Sequence, residues 1–523
     1  MPTSSQGPRQ LKDRVVQSRI HHERDRFIAS IHESDVCRLA SSYHDGDSCT
    51  FFKPPTRGSY NICYFVQFCS AGTDVERWVV RVPLAPCLAL GGRNKLESEI
   101  ASMKLVAEKT TIPIPKIHAY ALNSSSEPLS SFIILEYVEG QKLSYTQLKT
   151  LTDEQKTRLY TSLADIHLQL RRLEFPSIGR LTCGPDGFKV SRQATTIDIN
   201  MQELEGLQPS KIQAFYSDSN SLLTSANDYV TMLLEIAYNA FVEGRSSVVE
   251  DRQGEDALYH LHIFRQYAEG WINRQLDQGP FVLVHGDLEP FNLIVDDDMN
   301  VISLLDWEWS RVVPRQFFKP PLWLKNPDTT KLAYNFVYQD YLQRFDQFLA
   351  ILRIREREKY GNELLSDEWA EAKVDSGFLV ANALENWTDM DWFAFRYINW
   401  KCYRGLSLDE RVKSFMDDDP ARGVLVARKL RQGVAYNVEV GELGIAGSLS
   451  DHNDIVEAVP SCKDGPTLGD SIMRHISHWG IRKGDISLFI PSLPTFALWS
   501  AAIIIAGTSY ALKMGIPRFL CRR

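Results

Sequence analysis

Short apolar runs separated by turn residues fill the chain between Phe51 and Gly140. Residues 60–68 (YNICYFVQF) and 78–82 (WVVRV) are rich in β-branched and aromatic side chains. Ala71-Gly72-Thr73-Asp74 between them supplies turn chemistry, so a hairpin is predicted. From Asn94 onward Leu96, Ile100, Met103 and Ala107 recur at helical spacing until Pro113 and Pro115 stop the run. Residues 131–135 form an apolar run suited to a buried strand, and 136–140 (EYVEG) a connector.

After Ser144 the pattern turns helical. Thr152 and Gln155 have capping-box spacing, and Leu159, Leu163, Ile166, Leu170 and Leu173 continue on one face. Helical stretches at 229–241 and 258–276 lead into a pair formed by a strand at 281–284 and a hairpin, 292–295 with 301–305, across the acidic turn 296–300. Further helices are predicted at 330–360, 387–400 and 419–432. The succession predicts an α+β fold of two lobes: a small β-rich N-lobe at 46–140 and a large, mainly helical C-lobe at 141–440. Residues 1–45 read as an extension, either an arm or an amphipathic first helix. The Gly-, Ser- and Asp-rich stretch 441–464 reads as a linker to a tail at 465–523.

Composition narrows the function classes. A net charge of -8 and an acidic pI give no long-range pull toward nucleic acid or an anionic membrane. The 9 cysteines lie singly, without a C-x-x-C pair, so neither a disulfide framework nor a zinc site is indicated and a reducing compartment fits. The first thirty residues are polar and basic without an apolar core; no secretory signal is read there, and a cytoplasmic protein is expected.

The chemistry lies in His285-Gly286-Asp287, followed by Asn292 and then Asp306-Trp307-Glu308. Phosphoryl transfer asks a protein to position an acceptor, hold metal ions on the phosphates and place cations against the accumulating charge. Asp287, on a loop leaving a strand, can accept the acceptor hydroxyl's proton. Asn292 and Asp306, at strand ends flanking a hairpin, can be brought together on Mg²⁺, which prefers oxygen ligands.

These motifs resemble the aminoglycoside phosphotransferase and choline kinase family, relatives of protein kinases. The resemblance implies a bilobal protein-kinase-like fold, ATP and Mg²⁺ as cofactors, and a small-molecule hydroxyl as acceptor. It implies Asp287 as catalytic base, His285 as a buried buttress of the loop, and Asn292 and Asp306 as the metal ligands. Protein kinases carry H-R-D and a downstream A-P-E; Gly286 and the missing A-P-E favour a small acceptor over a protein. Gly58 and Ser59, in Arg57-Gly58-Ser59-Tyr60, are similar to the family's phosphate-covering turn, although a plain β-turn explains them equally well. Arg81 stands where the family has a strand lysine, which implies a cofactor-binding role: a guanidinium still brings a permanent charge and can grip two phosphate oxygens, but it is not interchangeable with an ammonium. A solvent-facing strand arginine is the other reading.

Arg81's partner is expected on the next helix. With Asn94 as N-cap, Glu97 falls where it closes the helix end and Glu99 resembles the family's ion-pair position; alternatively both merely favour the helix dipole. Glu136 and Val138 resemble the hinge whose backbone binds adenine. His167 reads as a packing or capping histidine. Acceptor-facing residues are expected from 178–221 and the C-terminal helices, where no pattern identifies the acceptor. A kinase-fold binding protein without turnover remains the alternative, given Arg81 and the single-glycine turn. The tail around Gly480 to Tyr510 resembles a fragment from the front of adenylate-forming enzymes without their phosphate loop. It also holds an uncharged run, 488–512, long enough to span a bilayer but interrupted by Pro491 and Pro494.

Overall fold

The structure is a computed structural model that describes residues 12–445 except 69–74, 90–91, 124, 126, 192–193, 217–221, 251 and 326–327. The turn at 71–74, the tail and most of the 441–464 stretch lie outside the described residues.

The N-terminal segment forms two helices, α1 (Arg14–Ala29) and α2 (Glu33–Ser42). Asp13 caps the first by accepting from the Val15 and Val16 N–H groups. Next come strands β1 (Cys49–Arg57), β2 (Asn61–Phe68) and β3 (Glu76–Pro83), helix α3 (Gly92–Lys109), and strands β4 (Ile117–Ala121) and β5 (Phe132–Glu136). The strands make one antiparallel sheet in the order β1-β2-β3-β5-β4. Ile20, Val36 and Ala40 from α1 and α2 share a core with Tyr64, Val66, Val80, Val82 and Ile134, so the predicted extension covers one face of this sheet.

Strand alternation places the next set of residues on the opposite face. Ile133, beside Ile134, joins the main core with Leu96, Ile100 and Met103 of α3. Arg81, between Val80 and Val82, turns to that side too.

The rest is mainly helical, including Asp153–Leu170, Ala226–Glu243, Gln253–Trp271, Asn335–Tyr360 and Pro420–Glu442. The Thr152–Gln155 capping box is present. The last helix continues past the predicted 432 to Glu442, and 387–400 divides into Trp387–Phe393, a π-helical turn at Ala394–Ile398 and Asn399–Cys402. No helix among the described residues is long and apolar enough to cross a membrane.

Two small sheets carry the site. Phe281–Val284 pairs with Arg311–Pro314 and Glu174–Phe175, whereas Leu293–Val295 pairs with Val301–Leu304 and Gln141–Lys142. The expected pairing of strand and hairpin is thereby corrected, because the loop between them carries the chain from one sheet to the other. The partner strand Arg311–Pro314 was not foreseen; its four residues directly follow the turn Trp307–Trp309 and are too few to show a period.

Candidate functional site

The loop after Phe281–Val284 is held by groups that are neutral or uncharged. His285 is 2% exposed, its Nε2 lies 2.9 Å from the Leu305 carbonyl, and the Asp287 N–H donates to its Nδ1 at 3.3 Å. Those two bonds fix one tautomer, with the proton on Nε2. Burial pushes the ring's pKa down to about 4, so the imidazole is neutral and struts the loop against the Asp306 segment. Gly286 has φ +87°, and a Cβ there would sit 2.1 Å from the Trp309 carbonyl oxygen. No side chain fits, the arginine of H-R-D included.

Asn292 donates from Nδ2 to the Asp287 carbonyl at 2.8 Å and to its Oδ2 at 3.2 Å. Burial, followed by the nearby Asp306 charge, pushes the Asp287 carboxyl up to about 7, while the Asn292 bond works against the shift. A carboxyl poised there suits proton transfer near neutrality.

Across from the loop, Arg81 and Lys95 meet three carboxylates. Arg81 Nη1 donates to Glu99, while Nη2 donates to Asp306 Oδ1 at 2.5 Å and lies 3.3 Å from Glu308 Oε2. The ion pair with Glu99 forms, but for a different reason from the one expected. The helix begins at Gly92, so Asn94 lies inside it, and Glu97 turns outward to Arg180 Nη1 at 2.9 Å. Asp306 is left-handed (φ 66°, ψ 63°), a conformation aspartate tolerates better than most residues, and this aims its carboxylate at Arg81.

Two members of this group escaped the sequence reading. Glu308 accepts from Asn61 Nδ2 at 2.8 Å and from Lys95 Nζ. Lys95 Nζ also lies 4.4 Å from the Trp309 ring centroid and 5.3 Å from that of Tyr60. Burial, then the Arg81 guanidinium, pushes the Lys95 ammonium down to about 7, while the Glu99 and Asp306 carboxylates favour its charge. Lys95 and Glu99 stand one helical turn apart on the same face, the signal that points to the lysine.

The remaining predicted residues sit at the margins. The Gly58 N–H donates to the Asn61 carbonyl at 2.8 Å, closing the β1–β2 turn, with Ser59 exposed beside it. Tyr60 then packs edge-on against Trp309, centroids 4.9 Å apart. A Cβ on Gly58 would meet only the Asn61 oxygen, at 3.7 Å, so the turn itself does not require glycine. Glu136 pairs with Trp78, three rungs from the Arg81–Ile133 pair, and its N–H donates to the Lys116 carbonyl at 2.9 Å. Val138 is half-buried just beyond. His167 is buried with Nδ1 2.7 Å from the Leu163 carbonyl, as a packing histidine would be.

A third set of acids lies on the side of the helical region. Glu289 accepts from the Tyr145 hydroxyl at 2.5 Å, and burial, with Asp287 nearby, pushes it up to about 8. Burial likewise pushes Asp198 and Asp389 up to about 7, with Glu205 and Asp389 adding to the rise at Asp198 and Asp328 to that at Asp389. Asp198 and Asp287 both act on Tyr60, so the set adjoins the loop. Asp198 and Asp389 fall in the stretches expected to face an acceptor, whereas Glu289 belongs to the His-Gly-Asp loop.

The donor set suits Mg²⁺. Asn292 spends its amide nitrogen on Asp287, which turns its carbonyl oxygen away, and Asp306 keeps a second oxygen beyond the one on Arg81.

An antiparallel five-stranded sheet with one helix ion-paired to it, set on a helical region through a His-Gly-Asp loop and an Asp-Trp-Glu turn, is an α+β, bilobal, protein-kinase-like fold. The chain belongs to the phosphotransferase enzyme family, whose model matches residues 53–317. It is 24% identical over 340 residues to altered inheritance of mitochondria protein 9, mitochondrial, of Kluyveromyces lactis, covering 56% of this chain and 51% of that protein. It is 22% identical over 277 residues to clavilactone A biosynthesis cluster protein Y of Ampulloclitocybe clavipes, covering 51% of this chain and 64% of that one. The chain thus spans between half and two thirds of these relatives. Among solved structures, the ADP-bound aminoglycoside phosphotransferase APH(2'')-Ib aligns over 77% of this chain and 98% of its own, with 12% identity and a TM-score of 0.37. The streptomycin-ATP-APH(2")-IIa ternary complex aligns over 66% and 99%, with 14% identity and a TM-score of 0.35.

Proposed function

We propose that the protein is an ATP- and Mg²⁺-dependent phosphotransferase acting on the hydroxyl of a small molecule, and that this acceptor carries a positive charge. The observation that carries the reading is Asp287: a carboxylate oriented by Asn292, raised toward neutrality and placed beside Asp306. The acceptor oxygen attacks the γ-phosphorus as the bond to the β,γ-bridging oxygen breaks. The hydroxyl proton passes to Asp287 and ADP leaves. Mg²⁺, held by Asn292 and Asp306, would neutralise phosphate charge. His285 keeps the loop in register and takes no proton. Gly58 and Ser59 would cover the phosphates, and the backbone at Glu136 and Val138 would meet adenine. Asp198, Asp389 and Glu289, which burial keeps partly or mostly protonated near neutral pH, would ionise against a cationic acceptor and become its counter-charge. Residues 46–140 and 141–440 would serve as nucleotide-covering and acceptor-binding lobes, in a reducing cytoplasmic setting.

Transfer from labelled ATP across amino alcohols, choline, aminoglycosides and neutral sugars tests this. Labelled cationic product is expected, abolished by Asp287→Ala with nucleotide binding retained. Asp198→Asn is expected to raise KM for the cationic acceptor about tenfold with kcat held. A protein that shows neither a Mg-ATP-dependent rise in Tm nor transfer to any of these compounds defeats the proposal. The second reading, a kinase-fold binding protein without turnover, draws on Arg81's hold on Asp306. It predicts Mg-ATP binding with no product.

A further inference from the structure

The cation expected to meet phosphate from β3 is committed elsewhere. Arg81 gives Nη1 to Glu99 and shares Nη2 between Asp306 and Glu308. A planar guanidinium with both terminal nitrogens on carboxylates works as an anchor and has little left for a ligand. Lys95 differs. Its ammonium has three N–H donors, of which Glu308 takes one among the contacts described. Its side chain is only 10% exposed. It runs over Trp309 and Tyr60, and Tyr60 follows directly on the Gly58–Ser59 turn. Its charge is also felt by Asp287, which it pulls down, and it interacts with Asp306. The ammonium therefore stands between the turn that would cover the phosphates, the expected metal ligand and the expected base.

We infer that Lys95 is a phosphate-binding residue of this site, its ammonium contacting the phosphates of bound ATP while Arg81 serves to hold Glu99, Asp306 and Glu308 in place. The inference rests on the nucleotide-dependent reading above. The work of one strand lysine is thus divided: Arg81 fixes the carboxylates, and Lys95, from the first turn of α3, provides the cation with donors left for phosphate. Nothing covalent happens at Lys95. It exchanges part of its contact with Glu308 for phosphate oxygens, and the Glu308 carboxylate keeps Asn61 and Arg81 as partners.

A bland alternative exists, in which Lys95 only neutralises Glu308, and the test must separate the two. Removing one member of a buried ion pair strands the other charge and destabilises the fold, whereas removing both does not. The variants are Lys95→Met, Lys95→Arg and the double variant Lys95→Met/Glu308→Gln. Each is compared with the unaltered full chain for Tm and for calorimetric affinity toward Mg-AMP-PNP and toward adenosine, which lacks phosphates. Lys95→Met is expected to weaken Mg-AMP-PNP at least about tenfold with adenosine unchanged, and Lys95→Arg to recover most of the loss. The double variant, with Tm near that of the unaltered protein, should still show the tenfold loss. Should Lys95→Met fail to fold, the double variant carries the measurement. If the double variant binds Mg-AMP-PNP within about threefold of the unaltered protein, Lys95 is a counterion and the inference is overturned. An unaltered protein that binds neither compound instead removes the nucleotide reading on which the inference stands.

Discussion

The loop at 285–292 and the charged group around Arg81 meet at Asp306, but different physics holds each rigid. The loop uses a neutral histidine, an amide and a glycine pressed onto the Trp309 carbonyl, all over short distances in which the backbone is itself a partner. The charged group sets Arg81 and Lys95 against Glu99, Asp306 and Glu308, three carboxylates to two cations, drawn from β3, α3 and the turn after Val301–Leu304. Its excess of one negative charge leaves it able to gain from a further cation. A steric fit has no substitute partner, whereas a charge network can be rebalanced by a second change. The loop should therefore be brittle and the network compensable.

The largest effect expected from this contrast is at Gly286. In Gly286→Ala a Cβ enters 2.1 Å from a backbone oxygen at a positive φ that L-residues rarely adopt. A loss of about 3–5 kcal/mol in denaturant-monitored stability is expected, with activity lost as well. No second substitution on Trp309 can restore it, because the clash is with its main chain. A Gly286→Ala protein within about 1 kcal/mol of the original would show that the loop yields and that the contrast is misdrawn.

Legibility followed the same division. His285, Gly286, Asp287 and Asn292 form one contiguous motif whose spacing sets the geometry, so the loop could be read from the chain. The charged group is assembled from segments over two hundred residues apart, and only Arg81, Glu99 and Asp306 carried a local signal. Lys95 looked like one polar residue among many in a first helical turn, and nothing in the chain showed that Glu308 would turn inward to it. The same limit applied to the strands: hydrophobic runs revealed 281–284 and 292–295 but not that they lie in separate sheets, since partner choice depends on where the intervening loop must go. Helices α1 and α2 were missed as sheet cover because their polar sequence shows only a narrow apolar stripe.

An intermediate effect is expected at Asp287, where the loop and the network influence each other. Its folded pKa, about 7, lies above the unfolded value of 3.8, so the native state binds the extra proton between those pH values. Stability from this group is therefore lost as pH rises from about 4 to about 7 and does not return above it. Asp287→Asn removes the slope: its Tm should match the original at pH 4 and exceed it by a few degrees at pH 8, while transfer is abolished. In the unaltered protein kcat/KM should rise with pH through about 7, since the base must be unprotonated. Equal Tm differences at the two pH values would mean that Asp287 does not titrate in this window, and that burial together with the Asp306 charge does not hold its proton.

The smallest effect is expected at Gly58, which belongs to neither region. Its glycine resembles Gly286 in the sequence, but its Cβ position meets only the Asn61 oxygen at 3.7 Å and its φ is not positive. Nothing in the fold therefore demands glycine here, and Gly58→Ala should change stability by less than about 0.5 kcal/mol. A requirement can then come only from a bound ligand approaching the backbone, as in a phosphate-covering turn. Weaker Mg-AMP-PNP binding with an unchanged Tm would place that ligand against the turn, near Tyr60 and Lys95. Unchanged binding and unchanged Tm would reduce Gly58-Ser59 to a plain β-turn and leave the charged group alone to meet the phosphates.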